Sequence, residues 1–173
     1  MKNRCGWTKD DALMNAYHDK EWGVPVHDDK KHFEFLVLDA FQAGLSWKTI
    51  LYRRDGFRNA FADFDVEKVA RFDEKKIQKL LLDEKIIRNK LKIYGTVKNA
   101  KAFISVQEEF SSFNDYIWKF TDHQILANKW KSLKEIPATS KASDAMSKEL
   151  KKRGFTFAGS TICYAYMQAA GMV

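Results

Sequence analysis

The stretch DDKKHFEFLVLDAFQ, residues 28–42, constrains the fold more than any other part of the chain. Phe33, Leu36, Val37, Ala40 and Phe41 recur at i, i+3, i+4, i+7 and i+8, which is one face of an α-helix. Phe35 and Leu38 make the neighbouring face apolar as well. A helix that is hydrophobic nearly all round has to be enclosed by other elements. Asp28 or Asp29 suits its cap and Gly44 its stop. Inside this helix stands Asp39. A buried carboxylate is costly unless something pairs with it. Burial raises its pKa and a paired donor lowers it. Either the fold supplies the partner, as a neighbouring helix end or backbone amides, or a ligand does. The pattern weighs the two equally.

The enclosing elements also read as helices. TKDDALMNAYHDKEW opens with Thr8 as cap and Asp11 three residues on, a capping-box spacing. Ser46 caps the helix after Gly44. Asp65 and Asp73 open the short helices DVEKVARF and DEKKIQKLLL. A longer helix runs through IIRNKLKIYGTVKNAKAFISVQEEF, and Ser112 with Asp115 opens SSFNDYIWKF. SDAMSKELKKRG stops at Gly154 and GSTICYAYMQAAG at Gly171, while residues 121–140, with Pro137, read as irregular. Only FTFA hints at strand alternation, and it is too short. The class is all-α. At 173 residues and 45% hydrophobic content, the chain can bury a core as one domain over 1–173, or as two lobes sharing it. There is no repeat, linker or low-complexity tract.

A formal net charge of +7 and a pI of about 9.3 fit a polyanionic partner and a merely basic protein equally well. Two distant cysteines, Cys5 and Cys163, rule out a secreted disulfide scaffold. The N-terminus MKNRCGWTKDD has no apolar signal core, and no apolar run is long enough for a bilayer. A reducing cytoplasm and no membrane partner are the expectation.

Four clusters could carry chemistry. Trp7, Tyr17, Trp22 and Trp47 sit near the ends of the first helical segments; they are either core or a stacking box for a flat base, closed by Asp39. LLLDEKIIRNKLK reads as helix, tight turn near Asp83–Lys85, and a second helix whose first amides are flanked by Arg88, Lys90 and Lys92. That is either a phosphate site or a solvated hairpin. KKRGFTFAGST places Gly159, Ser160 and Thr161 at the start of the last helix near Lys151, Lys152 and Arg153, as an anion site or a simple cap. Cys5 and His18 are metal-ligand types, but two residues are not the four of a tetrahedral zinc site.

Taken in order, RCGW, YHDKEWGVP, QAGLSW, FDVEKVA, IIRNKLKI and SDAMSKELKKRGFTFAGSTICYAYMQAAG resemble the DNA-3-methyladenine glycosylase I family from Arg4 to the last residue. The resemblance implies a helix–hairpin–helix glycosylase fold of compact helical lobes. It implies a monofunctional N-glycosyl hydrolase that acts, as a monomer, on alkylated double-stranded DNA. The enzyme flips out 3-methyladenine and leaves an abasic site, the first step of base excision repair. Asp39 then faces the base, Tyr17 and Trp47 hold it, and Trp7 and Trp22 line the pocket. The anion candidates Arg88, Lys90, Lys92, Gly159, Ser160 and Thr161 become DNA contacts, and Cys5 and His18 match half of a structural zinc clip.

Three positions depart from the family pattern. Asp39 stands where glutamate is usual, which shortens the reach to the base. Lys85 stands where the hairpin usually has glycine, and a side chain there is expected to meet a steric cost at positive φ. The chain ends at Val173, ahead of the family's second pair of zinc ligands; either the tail is missing from this sequence or this member has lost the clip, and structural zinc depends on which. The catalytic aspartate that other superfamily members carry after the hairpin is also missing; Asp39 is assigned to recognition and electrostatic stabilisation, and no general base is named. The competing reading is a non-catalytic helical protein that binds DNA through the basic hairpin. A third, a purine-binding module without a DNA role, sits poorly with +7.

Overall fold

The computed structural model describes residues 4–173, and among these there is no strand. Ten α-helices follow one another: α1 Ala12–Lys20, α2 Asp29–Gln42, α3 Trp47–Leu51, α4 Arg54–Ala60, α5 Val66–Ala70, α6 Glu74–Leu82, α7 Lys90–Phe110, α8 Phe113–Trp118, α9 Lys141–Lys152 and α10 Ser160–Ala169. Short 3-10 turns lie at Gly6–Thr8, Ala62–Phe64, Lys119–Thr121 and Leu133–Glu135. No described helix is long and apolar enough to cross a membrane.

The enclosed helix is α2, with nine of its fourteen residues buried. Its apolar positions feed an aromatic core: Phe41 meets Phe57 of α4 at 4.7 Å, Phe33 meets Phe103 of α7 at 5.4 Å, and Phe103 stacks on Phe113 of α8 at 4.0 Å. Met146, Tyr166 and Met167 of α9 and α10 close the other side. The phenylalanines thus account for much of the aromatic content as packing, and the tryptophans mostly serve elsewhere.

Local chemistry sets the helix starts. Asp28 caps α2 by accepting from the Lys31 amide at 2.8 Å. Asp29 reaches across instead to the amides of Phe113 and Asn114, both at 2.8 Å, and so caps α8. Ser46, Asp65, Asp73 and Ser112 cap α3, α5, α6 and α8 as expected. Thr8 does not cap α1. The chain turns through left-handed Lys9 and Asp10, which brings Asp11 to the cap position, where it accepts from the Leu13 and Met14 amides. Gly44, Gly154 and Gly171 all take positive φ, the conformation that ends a helix at least cost.

The α6–α7 connection differs from the expected tight turn. α7 starts at Lys90, where Asn89 accepts from the Lys92 amide, so residues 83–89 form the turn. Lys85 is not among the residues at positive φ; its amide donates to the Asp83 carboxylate at 2.9 Å, and the anticipated steric cost does not arise. The glycine this turn needs lies on another helix. A Cβ on Gly56 of α4 would fall 2.3 Å from the Lys85 carbonyl oxygen.

Candidate active site

A second, smaller cluster sits at one side of the core. Met14, Tyr17 and Leu51 are buried there, with Trp7, Trp22 and Trp47 packed around them. These rings border an open cavity of about 650 Å³, a size typical of small-molecule sites. Several elements build it. The Gly6–Thr8 turn contributes Trp7, α1 Tyr17, the turn after it Trp22, α2 Asp39 and Gln42, and the first residue of α3 Trp47. Gln168 of α10 adds a further polar group. Tyr17 and Trp47 are tilted at 5.0 Å, and Trp7 meets Trp22 edge-on at 5.6 Å.

Asp39 is 5% exposed and makes no hydrogen bond or ion pair with any described residue; its Oδ2 is buried without a partner. Loss of hydration alone pushes its pKa up to about 8. Trp47 Nε1 is likewise buried and unpartnered. The pocket therefore holds one orphan acceptor and one orphan donor, each of which a ligand can satisfy. Burial first, and then the neighbouring Asp39 charge, push the Tyr17 phenol well above its usual range, so it keeps its proton.

Behind the pocket lies an ion network. Arg54 donates to Glu34 through Nε at 2.7 Å, and to Glu21 through Nη1 and Nη2 at 2.9 and 2.7 Å. Lys31 reaches both Glu21 and Glu34 at 2.9 Å. Burial works to raise Glu21, but Arg54 and Lys31 outweigh it and lower the carboxyl to about 2. Glu21 caps the end of α1 and precedes Trp22, so this network ties the α1 side of the pocket to α2.

The sequence candidates separate into two groups. Asp39, Tyr17, Trp47, Trp7 and Trp22 all meet at the cavity. Arg88 lies on the exposed α6–α7 turn and Lys90 opens α7. Lys92 does not face outward: it is 7% exposed, and its ammonium donates to the carbonyls of Phe41 and Ala43 at 2.8 and 2.6 Å. Those carbonyls at the end of α2 have no helical partner, and a lysine satisfies them. Gly159, Ser160 and Thr161 start α10 away from the cavity. The Ser160 hydroxyl is engaged with Asp144 at 2.5 Å and Ser143 at 2.8 Å, so a phosphate there would meet a carboxylate.

Cys5 and His18 are adjacent, but the Cys5 amide donates to His18 Nε2 at 3.3 Å, and His18 Nδ1 contacts Asp19 at 3.1 Å. The imidazole stacks on Trp22 at 5.6 Å. Among the described residues no three His, Cys, Asp or Glu side chains come together as a metal site. Two such residues are not a zinc centre by themselves; in this arrangement His18 packs against Trp7 and Trp22 and does not itself line the cavity.

Sequence reasoning missed three lining features. Asp11, the α1 cap, also accepts from Lys48 at 2.7 Å and Tyr52 at 2.8 Å. The Lys48 contact, then the Met14 amide, then Tyr52 lower it to about 2. Leu133 and Ile136 reach the cavity from the irregular segment, where no periodicity marks them. Gln168 could be found only once α10 was known to face α2.

Residues 7–173 match the methyladenine glycosylase family. The chain belongs to this family. It is 48% identical over 170 residues to DNA-3-methyladenine glycosylase 1 of Escherichia coli K12, covering 98% of this chain and 91% of that protein. A crystal structure of 3-methyladenine DNA glycosylase I superposes with a TM-score of 0.96 at 45% identity, covering 99% of this chain and 94% of that one. A further methyladenine glycosylase structure, a complex with 3-methyladenine, gives 0.95 at 29% identity over 99% and 92% of the two chains. The all-α fold of this chain is thus the helical fold of a DNA glycosylase.

Proposed function

We propose that this protein removes 3-methyladenine from alkylated DNA by hydrolysing the N-glycosidic bond, and that the aromatic cavity is where the base is held. The observation that carries this reading is Asp39, a carboxylate buried with no partner among the described residues at the wall of a pocket lined by indoles. Methylation at N3 gives the adenine a positive charge. A cation that stacks on aromatic rings and meets a carboxylate is the ligand this set of groups favours most. The extruded base lies against Trp47 and Tyr17, and its amino edge, made more acidic by the charge, donates to Asp39. Trp47 Nε1 offers a hydrogen bond to a ring nitrogen.

Breaking the bond between the sugar C1′ and the base leaves its electron pair on the ring, which becomes neutral. Water adds to C1′ and loses a proton to solvent, giving the abasic sugar. Since the base leaves readily as a cation, positioning and electrostatics do most of what the protein must do. Burial favours the protonated form of Asp39. Entry of a cation favours the ionised form, and the neutral product no longer does, which promotes release.

On the DNA side, the α6–α7 turn carries Lys85 and Arg88, Lys90 opens α7, and the amides of Lys90 and Leu91 find no acceptor among the described residues. A helical hairpin presenting these groups suits a phosphate of the duplex. The test is release of free 3-methyladenine from methylated duplex DNA. Duplex binding without base release would replace this reading with that of a non-catalytic DNA-binding protein.

A further inference from the structure

We propose that the irregular segment 122–139 is a second DNA-contacting surface, in which Trp130 stacks on a base of the strand beside the extruded nucleotide while Lys129, Lys131 and Lys134 neutralise its phosphates. The proposal rests on the glycosylase reading and extends it to a part of the chain that reading leaves unused.

Four of the ten large hydrophobic residues exposed among the described residues fall here: Ile125, Leu126, Trp130 and Leu133. Trp130 is 45% exposed and makes no ring contact with the described residues. An indole with nearly half its surface exposed, set between two lysines, presents a free face to a partner. It suits a partner with both flat faces and negative charge, which is what a nucleic acid strand offers.

The segment is continuous with the base cavity. Leu133 and Ile136 line that cavity, and Leu133 lies against the Gly6–Thr8 turn, 3.9 Å from where a Gly6 Cβ would be. Trp130 is three residues from Leu133, hence within about 11 Å along the backbone. An extruded nucleotide held in the cavity therefore brings its own strand within reach of Trp130. The segment has a defined shape at this point. Glu135 accepts from the Lys131 amide at 3.0 Å and from the Ser132 hydroxyl at 3.1 Å, closing the Leu133–Glu135 turn. None of the three lysines forms an ion pair with a described residue, so their charges are available. Farther back, the Leu126 amide donates to the Met172 carbonyl at 2.9 Å and anchors the segment to the end of the chain.

The experiment uses the full chain with two probes, a duplex carrying one tetrahydrofuran abasic analogue and free 3-methyladenine. Trp130→Ala is expected to weaken duplex binding about 10-fold, with Trp130→Phe nearly restoring it. The triple variant Lys129→Gln, Lys131→Gln, Lys134→Gln should lower the slope of log affinity against log salt by about two to three. Affinity for free 3-methyladenine should not change in either variant. Unchanged duplex affinity and salt slope overturn the proposal. So does an equal loss of free-base affinity, which would make the segment only a pocket wall, or a dimer that Trp130→Ala dissociates. Base release by the parent protein, measured alongside, tests the glycosylase reading separately.

Discussion

Two buried acids share α2, five residues apart, and the protein treats them in opposite ways. Glu34 accepts from Arg54 at 2.7 Å, Lys31 at 2.9 Å and Arg58 at 3.2 Å. Burial works to raise its pKa, yet Arg54 and Lys31 lower it. Asp39 has none of these and rises to about 8. One carboxylate is completed by the fold, and the other is left incomplete at the wall of a cavity. Burial alone thus does not distinguish a structural acid from a binding one; the census of its partners does.

This contrast can be broken most sharply at Glu34. Glu34→Ala leaves Arg54 buried with half its partners gone and should cost about 3–5 kcal/mol of stability, read from urea unfolding. An unaltered midpoint would mean the network is decorative.

The pH dependence should run the other way for Asp39. Its folded pKa lies above the unfolded value, so between about 4 and 8 the folded chain holds the extra proton. Stability from this group is full below about pH 4 and declines as pH rises through about 8, by about 1.4 kcal/mol per unit at the steepest. Thermal melts of the ligand-free protein should show this slope, and Asp39→Asn should flatten it. Identical slopes in the two proteins would contradict the burial argument.

In the base-release assay, Asp39→Asn should be slower by about 10²–10³-fold while its circular dichroism stays native. A folded, fully active variant removes Asp39 from the proposed mechanism. The smallest effect is expected at Gly56, two residues after Arg54. Gly56→Ala forces α4 away from the Lys85 carbonyl and should cost about 1–3 kcal/mol, leaving free-base affinity as it was. Lost base affinity would show that α4 and the pocket are more tightly coupled than the geometry indicates.

Much of this was legible in advance. The period of α2 and the caps at Asp28, Ser46, Asp65, Asp73 and Ser112 follow from side-chain chemistry over short spans; the gathering of Trp7, Tyr17, Trp22 and Trp47 around Asp39 was implied only by the family resemblance, since the residues alone fit a core equally well. Other features depend on what arrives from elsewhere in the chain. Lys92 reads as a surface lysine until the open carbonyls at the end of α2 are placed beside it. Thr8 has the right spacing for a cap, but two left-handed residues intervene, and spacing carries no information about them. The strain expected at Lys85 vanishes because Asp83 offers an alternative hydrogen bond and Gly56 yields room from a different helix. Leu133 and Ile136 border the cavity from a segment with no period to read.

The reach of Asp29 to α8 has a consequence for how the chain assembles. Six residues are too few for a helix to persist alone in water. Ser112 closes one donor at the start of α8, but the Phe113 and Asn114 amides are closed by an acid more than eighty positions earlier, so this short piece depends on the front of the chain being docked. A chain truncated before α8 leaves Asp29 without these donors, and cleavage between the two should destabilise both fragments.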